Sequence, residues 1–208
     1  MMLSAFDSTK LENALGALDQ ALAAHPSAHL AFRRIADTVC LAPNLTADLH
    51  AGHDKAVRLG SALGIPLQDS DPADGFSWDG GAVASQTETA VLLHEFAHWQ
   101  IAPPERRVLP DFGLGAGPET GYKDKAEAAC CVDEATKERE EDLASLLGIL
   151  WEVEIGGPAI IAFCEQNWLE LHDRPGTSRH FVSVFDELVA RHLIDDAGRP
   201  LTVLAEAV

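Results

Sequence analysis

Residues 90–100 read A-V-L-L-H-E-F-A-H-W-Q, and this stretch constrains the fold more than any other part of the chain. It sets His94, Glu95 and His98 in an apolar run with helix signals on both sides. Ser85-Gln86-Thr87-Glu88 has the S-x-x-E form of a capping box, which predicts a helix starting just before the motif. Pro103-Pro104 ends it, because proline lacks the backbone donor and collides with the preceding turn. On such a helix His94 and His98 project from one face, one turn apart, at a spacing that lets both grip one metal ion. Glu95 lies beside them, where a carboxylate can take a proton from metal-bound water. Two histidines and a glutamate on so apolar a helix are costly unless something satisfies them, and a metal ion does so. The competing reading is a pair of histidines hydrogen-bonded in the core, since a five-residue pattern with three fixed positions also arises by chance.

The 208 residues suffice for one domain with a sizeable core, and 47% hydrophobic content marks a globular chain. Net charge is -18, from 33 acidic and 15 basic residues. So negative a surface repels phosphate backbones and anionic lipid, so neither nucleic acid nor a membrane is expected as a partner. No apolar run reaches the length of a membrane span. Residues 1–7 lack the basic region and apolar stretch of a signal peptide, so a cytoplasmic location is expected. Cys40, Cys130, Cys131 and Cys164 form no C-x-x-C pair, and they read as reduced thiols, most of them small core residues.

Leu11, Leu15, Leu18 and Leu22 recur at helical spacing and predict a first helix that stops near His25-Pro26. Further helices are expected over residues 27–40 and 52–63. Residues 64–84, rich in Gly and Pro, are expected to hold short strands at 65–67 and 81–84. After the motif helix, residues 103–121 form a loop long enough to suggest a functional role. A helical stretch over 124–155, broken near Val132-Asp133, ends at Gly156-Gly157-Pro158. Helices over 159–171 and 177–193, then a turn and a short strand or tail, complete the chain. The expectation is a single domain over 1–208, with N-terminal helices (1–63), a metal-binding core (64–171) and a C-terminal helix and tail (177–208).

Two histidines do not complete a site, since zinc or non-haem iron usually takes a third protein ligand and keeps positions open. The acidic run Glu138-Arg139-Glu140-Glu141-Asp142 lies downstream. Most of these acids suit a solvated helix face. On a helix, Glu141 shares its face with Ala144, Ser145 and Gly148, and those small residues let the helix lie close against another. Glu141 is therefore the favoured third ligand, with Glu138 and Glu140 as alternatives. The pattern resembles the third-ligand helix of thermolysin-like zinc enzymes, where Ser145 would fall at a position supporting a histidine. The fold expected is α+β and predominantly helical, with a zincin-like metal-binding helix pair and a small sheet.

The longer segment H-E-F-A-H-W-Q-I-A-P-P-E-R-R-V-L-P-D-F-G, residues 94–113, resembles the core of the elongation factor P hydroxylase family. That family carries H-E-x-x-H-W, I-A, R-R-x-L and D-F-G at this spacing, then a proline and an acid matched by Pro118-Glu119. The likeness is specific over 94–113 and weaker to about residue 170. It implies a two-histidine, one-carboxylate iron site with the carboxylate among Glu138, Glu140 and Glu141. It also implies hydroxylation of a modified lysine on a translation factor. Where the family follows D-F-G with aromatic residues, this chain has Leu114-Gly115-Ala116-Gly117, so the metal chemistry carries over more safely than the substrate.

Arg106 and Arg107 read either as binders of an acidic substrate group or cosubstrate, or as partners of Asp111 or an acidic helix. Asp111 is placed to orient a ligand histidine through its second nitrogen. Trp99 and Phe112 read as core, and His50 and His53 as surface histidines. His172, His180 and His192 show no usable pattern, and nothing places Tyr122 as an oxyanion donor. The leading expectation is an Fe(II) hydroxylase with His94, His98 and Glu141 as ligands. The alternative is a zinc metallopeptidase or other hydrolase with Glu95 as general base. A third reading is a metal-binding protein without catalysis.

Overall fold

In the computed structural model the described residues are 10–42, 45, 47–50, 52–170, 172 and 174–202. Helix α1 (Leu11–Leu22) and helix α2 (Pro26–Ala36) bury matching stripes, Leu11, Ala14, Leu18 and Leu22 on one and Ala28, Ala31, Phe32 and Ile35 on the other. Pro26 sits in the first turn of α2, where its missing donor costs nothing. The helix expected to reach residue 40 tightens instead into a 3-10 turn, Asp37–Leu41. Thr38 explains the change: its hydroxyl donates to the Ile35 carbonyl at 2.7 Å and accepts from the Ile160 amide at 2.9 Å. Helix α3 (His53–Ala62) follows the left-handed Gly52.

Strands β1 (Leu67–Gln68) and β2 (Val83–Ala84) pair in parallel and are shorter than the sequence predicts. Asp71 breaks the chain between them by accepting from the Ala73 amide at 2.9 Å, which starts a 3-10 turn over Pro72–Asp74. Helix α4 (Thr89–Ile101) carries the motif. It begins later than the predicted capping box: Glu88 takes the N-cap position, and the Ser85 hydroxyl donates to the Gln68 carbonyl at 2.9 Å, tying the lead-in to β1.

The expected long helical stretch divides into α5 (Lys123–Ala129) and α6 (Glu134–Ile155). Asp133 restarts it, its carboxylate accepting from the Thr136 amide at 2.8 Å. Helix α7 (Ile160–Glu165) is shorter than expected because Asn167 turns left-handed at φ 66°. Helix α8 (Pro175–Ala190) covers the core, and Ile194 then bridges to Pro200. Residues 203–208, the end of the expected tail, lie outside the described residues. The architecture is mostly helical α+β with one two-stranded sheet. No helix among the described residues is long and apolar enough to cross a membrane. One cysteine expectation is corrected: Cys40, Cys130 and Cys131 are exposed, and only Cys164 is buried.

Helices α4 and α6 form the most extensive helix pair of the fold. A Cβ on Gly148 would lie 3.1 Å from both the amide nitrogen and the Cα of His94, so glycine is what lets the two backbones meet. Helix α3 approaches the other side of α4 at Gly60, where a Cβ would press into the Phe96 ring at 2.7 Å. Gln100 is a buried polar side chain of this core whose amide is paired at both ends. It donates to the Leu201 carbonyl at 2.9 Å and accepts from the Trp151 indole at 2.8 Å.

Glu152, buried on α6, has an Oε2 with no hydrogen-bond partner. Burial, with Glu165 adding to it, raises its pKa from 4.5 to about 7.

Gly148→Val is expected to cost about 1–3 kcal/mol by overpacking the α4–α6 contact. It should appear as a lower melting temperature of the metal-free protein, and an unchanged melt would refute the close packing. For Glu152, the unfolded chain releases its proton first as pH rises, so stability falls between about pH 4.5 and 7 and stays reduced above that. Glu152→Gln should remove this loss, raising stability at pH 8 by as much as about 3 kcal/mol while changing little at pH 4. Melts at the two pH values test it, and equal effects at both would contradict the assignment.

Candidate metal centre

Helix α4 presents His94 and His98 from one face, and α6, held close by Gly148, presents Glu141 to the same point. The two Nε2 atoms face each other at 3.0 Å. Glu141 Oε2 lies 3.2 Å from His94 Nε2 and 3.5 Å from His98 Nε2. Ligand atoms about 2.0–2.2 Å from one ion stand about 3 to 3.5 Å apart, so these spacings fit a single ion. Protons alone satisfy the cluster less well. If both Nε2 atoms carry hydrogen they collide with each other, and if only one does, the other turns its lone pair toward the carboxylate. A cation at the centre meets all three atoms. Among the described residues, His94, His98 and Glu141 are the one group of such side chains with ligand spacing.

The three groups shift one another's charge. Burial alone would raise the Glu141 pKa, but the charge of His98 and hydrogen bonds from both histidines outweigh it and hold the carboxyl well below its usual range. Burial lowers the pKa of His94, with the Glu141 hydrogen bond opposing. For His98 burial acts the same way, but the charge and hydrogen bond of Glu141 prevail and raise it. Glu95 faces the cavity above the ligands. Its pKa rises to about 8, chiefly through burial, with Asp111, Glu141 and Glu119 adding and His98 opposing.

The acidic run sorts by direction. Glu138 is exposed, Glu140 forms a buried ion pair with Arg106, and Glu141 turns to the histidines. Arg106 also donates to the Phe112 carbonyl at 3.1 Å. Arg107 donates to the Trp99 carbonyl at 2.9 Å and lies over the Trp99 ring at 5.1 Å. Neither arginine lines the cavity, and of the two readings Arg106 follows the one that pairs it with an acidic helix. Both brace the chain that leaves α4.

Asp111 lines the cavity but does not orient a histidine. Its carboxylate accepts from the Trp78 amide at 3.2 Å and the Thr120 hydroxyl at 2.7 Å, while His98 Nδ1 is buried without a partner. Burial raises the Asp111 pKa, with these two hydrogen bonds opposing. Asp111 and Phe112 both have left-handed backbones, at φ 43° and 55°, a conformation that costs about 1–2 kcal/mol per non-glycine residue. The Asp111 amide donates to the Trp78 carbonyl at 2.8 Å and helps hold that turn. Its product is a stack: Phe112 lies flat between Trp78, at 5.3 Å and 5°, and His98, at 5.6 Å and 26°. Stacking thus fixes the His98 ring where a second hydrogen bond is absent. Ser145 also differs from expectation, bonding Gln166 and Trp168 rather than a histidine.

The three ligand side chains sit in the wall of a cavity of about 740 Å³. Leu114, Gly115, Gly117 and Pro118 form one side, with Glu88, Glu119 and Glu165 adding negative charge. Gln166, Trp168 and His180 form the other, and sequence reasoning missed their role. His180 stacks on Trp168 at 5.3 Å and lies 3.4 Å from Asp142. No spacing links residues 165–168 and 180 to the motif, since only the packing of α7 and α8 against α6 brings them there. Tyr122 packs edge-on against Phe76 and stays outside this cavity.

The site is thus a candidate mononuclear metal centre on a helix pair within a helical α+β protein. No protein-family model matches the chain, and no curated protein or solved structure is significantly similar to it.

Glu141→Gln is expected to weaken zinc or cobalt binding roughly hundredfold or more, beyond the 10–100-fold typical of residues that only support a ligand. Glu140→Gln should keep one equivalent of metal but melt earlier, because Arg106 loses its buried counter-charge. Metal titration of both variants decides, and equal losses of affinity would remove Glu141 from the ligand set.

Proposed function

We propose that this protein is a mononuclear metalloenzyme of zincin-like character, with His94, His98 and Glu141 as ligands, and that it hydroxylates a protein side chain or related substrate. The observation that carries the proposal is the convergence of three ligand atoms on one point in the wall of a large cavity. Fe(II) at that point would supply the oxygen chemistry that hydroxylation of a carbon–hydrogen bond requires. The resemblance over residues 94–113 favours iron, and a translation factor as substrate follows from that resemblance alone.

The residues present suit such a role. Phe112 and Trp78, both buried, close the side behind His98. Glu95 is placed to hold or pass a proton at its carboxylate beside the ligands. The loop 114–118 lines the cavity with small and aliphatic residues where the resembled family carries aromatics, which leaves room for a different substrate. Whether a cosubstrate takes part is a separate question, and no arginine lines the cavity to receive an acidic one.

A zinc hydrolase is the second reading, and Glu95 favours it. Its carboxyl lines the cavity next to His94, the placement a general base needs.

Metal analysis of protein purified without oxygen separates the two readings. The hydroxylase reading expects bound iron and oxygen uptake by the Fe(II)-loaded protein. Stoichiometric zinc with peptide cleavage, abolished in Glu95→Gln while the metal is retained, would establish the hydrolase instead.

A further inference from the structure

Beyond the ligands, the far wall of the cavity holds a polar group that is oriented yet unused. Trp168 is buried against Phe163, their rings stacked at 5.9 Å, and its indole nitrogen donates to the Ser145 hydroxyl at 2.8 Å. The Ser145 hydroxyl in turn donates to Gln166 Oε1 at 2.5 Å. Gln166 lines the cavity, and its Nε2 is neither buried nor hydrogen-bonded. Ser145 stands one helical turn, about 6 Å, beyond Glu141 on α6. The oriented amide and the ligand cluster therefore line one cavity, joined through Ser145.

Ordering a long glutamine side chain costs up to about 2 kcal/mol of rotamer freedom. One hydrogen bond from Ser145 does little more than offset that cost. The arrangement has a use when a ligand accepts from the free amide nitrogens, because their direction is set in advance.

We infer that Gln166 is a specificity-determining residue. Through Nε2 it donates to a neutral carbonyl oxygen of a peptide-like ligand whose other end occupies the metal centre. A carboxylate acceptor is disfavoured there, because Asp142, Glu165 and Glu119 line the same cavity. Ser145 and Trp168 act through Gln166 as positioning residues, which accounts for a serine one turn after Glu141 that touches no histidine. This inference rests on the metal-site reading of His94, His98 and Glu141.

The test compares two hydroxamates on cobalt-loaded protein, with binding followed in the visible cobalt spectrum. Acetohydroxamate reaches only the metal. N-acetylglycine hydroxamate adds an amide carbonyl a few ångströms from it. The wild-type protein should bind the second about three- to tenfold more tightly, the worth of one hydrogen bond. Gln166→Leu, with its cobalt spectrum retained, should bring that ratio to about one. Ser145→Ala, which frees the amide without removing it, should bring the ratio part of the way down. A wild-type ratio of one, or a ratio unchanged in Gln166→Leu, overturns the role of Gln166 while leaving the metal centre standing. Failure to bind cobalt, or no spectral response to acetohydroxamate, overturns the metal-site reading itself and this inference with it.

Discussion

The backbones of α4 and α6 touch where Gly148 faces His94, and the rest of the site hangs on that contact. A glutamate side chain is short. It reaches a point shared with two histidines on another helix only if the helix axes lie close together. Ala144 and Gly148 supply that closeness on α6 and are buried without bulk. The remaining elements hold the pair in register. Helix α3 presses on Phe96 from one side, and α2, α7 and α8 cover α6 from the other.

Desolvation then gives the cluster its chemistry. Three ionisable side chains taken out of water on one spot would be unfavourable unless charge and lone pairs are matched. Glu141 stays ionised because both histidines favour its charged form, and His98 gains from the same carboxylate. Two Nε2 atoms and a carboxylate oxygen facing one point are satisfied less well by protons than by a single cation. The strained turn at Asp111 and Phe112 is the structural expense of this arrangement, since it delivers an aromatic face to the His98 ring, whose Nδ1 is buried without a hydrogen bond.

The three residues of the cluster were legible in the sequence because their signals are local. His94 and His98 follow from helical spacing, and Glu141 from the small residues three, four and seven positions later, which mark a close-packed face. The helices were legible for the same reason, and their ends less so. Ser85 reads as a cap but bonds across to β1, and Thr38 tightens α2 early through a contact with Ile160. Such partners are distant in sequence, so no local pattern announces them. The supporting residues failed in a similar way. Asp111 has the right chemistry to orient a histidine, but Trp78 and Thr120 occupy it. His180, Gln166 and Trp168 reach the cavity only through tertiary packing.

The stretch R-R-V-L-P-D-F-G, residues 106–113, braces the cluster from behind. Arg106 neutralises Glu140 next to the ligand, Arg107 pins the end of α4, and Asp111 and Phe112 build the stack behind His98. Each of these contacts supports the metal centre from that side, and only Asp111 and Phe112 also border the cavity. These contacts fix the point where His94, His98 and Glu141 converge, an arrangement that suits more than one reaction. The rest of the cavity wall, Leu114, Gly115, Gly117 and Pro118 with the turn from Glu165 to Trp168, is built by other segments, so it can differ in shape and polarity without disturbing that convergence.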